Sequence, residues 1–357
     1  MWTFAAETCQ QNLPKCCLLD PRQGGNILAK KKEEYLYLSA MLRAREPKLL
    51  NRDKAERMLD ASTFEEAARI LTDCGYEDMS QMNAEQIDET LAKHRAEIFA
   101  ELERIAADKN VVDVFKLKYD YHNAKAIIKG EAMNVDAEYL LSDSGRIKGE
   151  ELLTAYHEER YNVLPEIFAG AVREAKTTLA HSANPQMADF VLDRAYFREM
   201  AKAAEAADSQ FLTGYVQTLI DTANLKSAVR SMRMHKNAEF LTEVLIPDGG
   251  IGTERILNAG DRDNLAALYA HTVLEKAAAL GAQAAEGGKM TEFELACDNA
   301  VTAYLGNAKL VSYGEEPVVA YLAAVENEIT AIRMILTSRL AGIAPDSIRE
   351  RLRDFYA

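Results

Sequence analysis

Apolar residues recur at three- and four-residue steps along most of this chain. The last long run shows it best, with Leu322, Val325, Ile329, Ile332 and Leu336 falling on one helix face. No stretch alternates apolar and polar positions for long enough to suggest a substantial sheet. The punctuation agrees with helices. Asn51 stands as an N-cap before a helix through Leu59, and Ser62 or Thr63 starts the next, opening at Phe64, with Ser62 and Glu65 read as a capping box. Gly75 supplies the left-handed residue that stops it. The pattern predicts a long charge-dense helix over 84–107, another over 111–129 closed by Gly130, and a helix opened by 190–197. A turn at 247–250 follows, and the last unit ends with 347–352. The chain is expected to be all-α.

Within that pattern one polar phrase appears three times. It reads Asp120-x-x-Asn123-x-Lys125-x-x-Ile128-Lys129, then Asp221-x-x-Asn224-x-Lys226-x-x-Val229-Arg230, then more weakly Glu328-x-x-Ala331-x-Arg333-x-x-Leu336. The steps are 101 and 107 positions, too long for a solenoid unit and about the size of a small domain. The expectation is one helical module written three times, over 30–133, 134–246 and 247–357. Asp120 and Asn123 share a helix face, while Lys125 lies about 140° from Asp120 at roughly 100° per residue. Acid and base therefore cannot pair within their own helix. Two readings follow: an Asp/Asn hydrogen bond that sets helix register inside each module, or a carboxylate at a shared interface. Recurrence at the same helix depth favours the first. Tyr119, His122 and Ala126 are flanking core candidates, and Lys129 and Arg230 read as C-terminal cations favoured by the helix dipole.

Residues 1–29 differ from the rest. They hold three of the five cysteines and two of the eight prolines, with no helical periodicity. Their charges, Glu7, Lys15, Asp20 and Arg22, cancel. The segment lacks the basic start and continuous apolar run of a signal peptide. It is expected to be an extension upstream of a true start near Leu28, or else a disordered arm.

Composition narrows the function. At 357 residues, 48% hydrophobic and only 18 Gly and 8 Pro, the chain suits helical modules with real cores. A net charge of −14 disfavours nucleic acid and anionic lipid as ligands and suits a basic protein partner. No run approaches the roughly 18 uncharged apolar residues of a membrane span. Cys9, Cys16, Cys17, Cys74 and Cys297 show no metal-ligand spacing, which reads as a reduced chain.

Catalytic and cofactor motifs fail one by one. Before Gly287-Gly288-Lys289, a phosphate loop would need glycine where Gln283 stands, and then Ser or Thr where Met290 stands. Gly250-Ile251-Gly252 has Arg255 in place of the third glycine of a dinucleotide fingerprint. His157-Glu158 lacks the second histidine of a zinc helix, and His94, His122, His181, His235 and His271 are scattered singly. No nucleophile elbow is present. The reading is no cofactor, no metal and no catalytic residue.

The phrases around 118–125, 221–226 and 326–336, with Glu33-Glu34-Tyr35-Leu36-Tyr37-Leu38 and Val191-Leu192-Asp193-Arg194-Ala195-Tyr196-Phe197, resemble the central-stalk C subunit of V/A-type ATPases. Its eukaryotic vacuolar counterpart is the d subunit. The resemblance covers about 30–357; Ala331, where the other repeats have Asn, departs from it. It implies a funnel of three similar helical subdomains in pseudo-threefold arrangement. Such a protein sits on the cytoplasmic face of the membrane rotor ring, built of proteolipid subunits, and receives the shaft made by the D and F subunits. It passes torque between ATP chemistry and proton or sodium transport, itself non-catalytic. The competing readings are an all-helical cytosolic scaffold with no membrane partner and, much weaker, an enzyme pairing Asp120 with Asp221.

Overall fold

Three long helices carry the repeated phrase, and each is buried on nearly every face. Other helices surround them, and these three form the interior of the molecule. The computed structural model describes residues 32–357, so the expectation for residues 1–29 lies outside the described residues. The N-terminal helices are α1 (Leu36–Arg45), α2 (Arg52–Asp60), α3 (Phe64–Arg69) and α4 (Ala84–Ile105). The first motif helix is α5 (Asn110–Met133), followed by α6 (Gly149–His157), α7 (Glu166–Ser182) and α8 (Pro185–Ala206). The second is α9 (Gln210–Arg233), followed by α10 (Ala238–Val244), α11 (Thr253–Leu257), α12 (Arg262–Leu268), α13 (Glu275–Ala285) and α14 (Met290–Leu305). The third is α15 (Glu315–Leu340), with α16 (Pro345–Arg349) after it. Short 3-10 turns join several of these, and no strand occurs among the described residues. The protein is all-α.

Packing follows a recurring plan. Motif helix α5 lies against α7 and α8, α9 against α13 and α14, and α15 against α1 and α4. The predicted stripe on α15 is buried throughout, from Leu322 to Leu336. Most buried apolar residues form one continuous core, and a second lies under α11–α14 around Leu225, Tyr269 and Phe293. The motif helices meet centrally, where the Phe115 ring of α5 stacks on Tyr215 of α9 at 5.7 Å.

Local chemistry explains most element ends and corrects three expectations. Asn51 caps α2 by accepting from the Lys54 amide at 2.9 Å, and Gly75 takes φ +91° where the 3-10 turn after α3 stops. Of the two cap candidates for α3 Thr63 is the one used, and the Ser62–Glu65 box does not form, because Glu66 reaches back to the Ser62 amide. Gly130 does not end α5; the helix runs to Met133 and Asn134 takes the left-handed turn. Gly130 is needed for another reason, because a Cβ there would meet the Ala137 Cβ at 2.7 Å as the chain doubles back. Helix α8 begins at Pro185, ahead of Phe190, since Asn184 caps it and proline is preorganised for the first helical position.

Candidate functional site

The repeated phrase builds polar joints inside an otherwise apolar interior. At the first, Asp120 is fully buried on α5. Its Oδ1 accepts from the backbone amides of Arg146 at 2.9 Å and Ile147 at 3.1 Å, and Oδ2 accepts from Arg146 Nε at 2.7 Å. Arg146 continues to Glu199 at 2.8 Å, which also takes the Tyr121 hydroxyl at 2.9 Å. One turn along, Asn123 grips Ser142 at both ends. Its Nδ2 donates to the Ser142 carbonyl and its Oδ1 accepts from the Ser142 amide, each at 2.8 Å. Asp120 and Asn123 thus bond to the loop and not to each other. Close approach needs glycine at 145, where a Cβ would run into the Asp120 carboxylate.

The second joint repeats this with different loop residues. Asp221 accepts from the Ile251 amide at 3.0 Å, and Gly249 and Gly250 leave room for its carboxylate. Asn224 grips Ile246 at both ends, 2.8 Å each way. On the far side of each motif helix the basic residues meet acids. Lys125 pairs with Asp193 at 2.5 Å and Lys129 with Asp189 at 2.7 Å, both on α8. Lys226 pairs with Asp298 and Arg230 with Glu294, each at 2.6 Å, both on α14.

The third joint reaches elsewhere. Glu328 accepts from the Leu50 backbone amide and, at 2.6 Å, from the Tyr76 hydroxyl. Ala331 replaces the gripping asparagine and is buried. Arg333 pairs with Asp88 of α4 at 2.6 Å. The residues read from sequence therefore fall into three separate joints. Among the described residues Asp120, Asp221 and Glu328 share no hydrogen-bond partner, so the Asp120–Asp221 pair of the enzyme reading is not assembled by these contacts. Of the flanking residues, Tyr119 is buried while His122 is exposed and bonds to the Leu140 carbonyl at 3.0 Å.

Electrostatics separate the three acids. Burial pushes the Asp120 carboxyl above its usual range, and the Arg146 guanidinium and loop amides pull it back. Burial also raises Asp221, opposed only by the amides of Ile251 and Gly250. Glu328 goes furthest, to about 7; burial drives it, against the Tyr76 hydroxyl, the Leu50 amide and the nearby charge of Lys54. Each carboxylate accepts from donors already in place, an arrangement that ties backbone together.

Where α5, α9 and α15 converge there is a small cavity of about 220 Å³, walled by Phe115, Tyr215 and Ala323. Its polar edge is Glu326, which takes Arg95 at 2.9 Å, Lys118 at 3.2 Å and the Tyr119 hydroxyl at 2.6 Å. Sequence reasoning gave no role to Glu326, nor to Asp193 and Asp298 as partners. A signal existed for the latter. Asp189 and Asp193, like Glu294 and Asp298, are four apart, matching the four-residue step of Lys125 and Lys129 and of Lys226 and Arg230.

Known proteins are similar to this chain over most of its length. The family model for the ATP synthase (C/AC39) subunit matches residues 38–351. The C subunit of the V-type sodium ATPase of Enterococcus hirae is 23% identical over 326 residues, covering 90% of this chain and 99% of the relative. The C subunit of the A-type ATP synthase of Methanocaldococcus jannaschii is 23% identical over 345 residues, covering 89% and 86%. The C subunit of the V-type ATP synthase of Thermus thermophilus is 23% identical over 205 residues, covering 56% and 63%. With a family match over nearly all of the described residues, this chain belongs to the ATP synthase (C/AC39) subunit family, whose members are the non-catalytic C subunits of V/A-type ATPases.

Proposed function

We propose that this chain is the central-stalk adaptor of a V/A-type ATPase, seated on the membrane rotor ring and holding the end of the shaft made by the D and F subunits. It couples ATP hydrolysis or synthesis to proton or sodium transport by passing torque, as a single copy within the larger complex on the cytoplasmic face. The observation that carries this reading is the end-to-end similarity to the Enterococcus hirae relative. Physical support comes from the joints. A torque-bearing part has to resist shear between its helices, and two-point grips such as Asn123–Ser142 and Asn224–Ile246 fix the register of motif helix against loop, which non-directional apolar contact does not. No described helix is long and apolar enough to cross a membrane, which suits attachment through protein partners.

Co-purification tests the reading. The chain is tagged in its own host, membranes are solubilised gently, and the accompanying proteins are identified. Recovery of catalytic-head, shaft and ring subunits in fixed proportion is the expected result. Recovery of soluble partners alone would replace the adaptor with the scaffold reading.

A further inference from the structure

We infer that the stretch Met133 to Leu140 after α5, with the hollow behind it, is a docking site for a basic amphipathic helix of a partner protein. The site stands whether the chain serves a rotor or a scaffold.

The stretches that follow the first two motif helices differ. After α9 the chain folds into α10, whose Phe240 packs edge-on against Phe190 of α8 at 5.9 Å, and Leu245 behind it is buried. After α5 the matching stretch makes only a 3-10 turn, Glu138–Leu140. Its apolar side chains stay uncovered: Tyr139 is 76% exposed, Met133 68%, Val135 52% and Leu140 47%. So dense a run of exposed large apolar residues marks an interaction surface, and tyrosine and methionine are side chains enriched at such surfaces.

The stretch is already held in shape. The Val135 amide donates to the Gly130 carbonyl at 2.9 Å, and the Asp136 carboxylate accepts from the Glu138 amide at 2.9 Å. His122 bonds the Leu140 carbonyl at 3.0 Å, and Asn123 grips Ser142 just beyond. Ala137 is buried in the space that Gly130 leaves. A partner seated here would have little of this loop to order, which favours binding.

Charge selects the partner. Tyr139 and Leu140 help to line a hollow of about 850 Å³, and Glu89, Glu138 and Glu150 line it too. These three carboxylates are exposed and have no ion pair among the described residues. The cations of the same wall are already engaged: Arg95 and Lys118 by Glu326, Lys125 by Asp193, Arg333 by Asp88. Uncovered apolar residues beside open acids fit a helix with an apolar face flanked by Lys or Arg. An acidic helix would be repelled.

The full chain is titrated with a labelled synthetic peptide of about sixteen residues, with Leu and Lys at amphipathic helical spacing, followed by fluorescence anisotropy. Binding is expected to weaken about tenfold in Tyr139→Ala and in Glu138→Lys, and to stay unchanged in Glu254→Lys, a matched charge reversal on α11. The same peptide with Glu in place of Lys should not bind. All three substituted side chains are exposed, and unchanged melting by far-UV circular dichroism separates lost binding from lost folding. Failure of the Lys peptide to bind the wild type would overturn the site. Equal affinity across the three variants would also overturn it, as general attraction to an acidic surface. A dimer in sedimentation that Tyr139→Ala dissociates, with no peptide bound, would give the patch to a second copy of this chain instead. No ATPase subunit enters the assay, so its failure leaves the co-purification result untouched.

Discussion

At the joints of α5 and α9 the captured loop residues lie 19 to 30 positions after the motif residues that hold them, whereas Glu328 reaches Leu50 and Tyr76 across 278 and 252 residues. The grips differ with the distance. A neighbouring loop is held by a short Asp and by an Asn that satisfies one residue at both its amide and its carbonyl. The distant segment is held by a longer Glu, with a tyrosine hydroxyl replacing the second amide. Charge compensation differs too. Asp120 touches a guanidinium, while Glu328 touches only neutral donors, and burial holds its proton up to about pH 7. Burial raises all three acids, and the long-range joint is the one raised to near neutral pH.

Mutation can break that comparison. Asp120→Ala should have the largest effect, about 3–5 kcal/mol of stability in urea unfolding, because it leaves two loop amides without their acceptor and leaves Arg146 with Glu199 as its one remaining carboxylate partner. Asp221→Ala removes no guanidinium partner and should cost visibly less; equal losses would remove the charge from the explanation. Asn224→Ala should follow at about 2–4 kcal/mol, since both the amide and the carbonyl of Ile246 lose their buried partner. Hydrogen exchange at the Ile246 amide should rise with it.

The pH dependence sharpens the contrast. Glu328 is raised in the folded state from 4.5 to about 7. Its contribution is therefore fully present below about pH 4.5 and is lost as pH rises through about 7, amounting to on the order of 3 kcal/mol at most. The difference in unfolding free energy between wild type and Glu328→Gln, measured across that window, should swing against the wild type as pH increases. A pH-independent difference would mean that the carboxyl is already ionised throughout. The smallest effects belong to the half-buried edges. Lys125→Ala and Lys226→Ala should each cost less than about 1 kcal/mol, and the loss should shrink in high salt.

Much of this was legible in the chain before folding. The three- and four-residue steps, the caps at Asn51 and Gly75 and the lack of alternation predict an all-α protein, because each is settled within a turn or so of helix. The repeated phrase and its family resemblance are also sequence properties, as is the inability of Asp120 to reach Lys125 along one helix. Gly130 shows where such reading stops. A glycine near a helix end reads as a terminator, yet it sits inside α5 because Ala137 needs the space, a contact local grammar does not contain.

What only the tertiary structure decided is partnership. Asn123 and Asn224 hold backbone, and backbone has no residue signature: Ser142 and Ile246 share no side-chain chemistry. Lys125 and Lys226 find acids 68 and 72 residues on, and Glu328 finds Leu50 near the other end of the chain. Helix periodicity follows from interactions across three or four residues and so is written locally. The choice among distant donors and acceptors is made when whole helices bury their apolar faces together, and that depends on the shape of all of them at once.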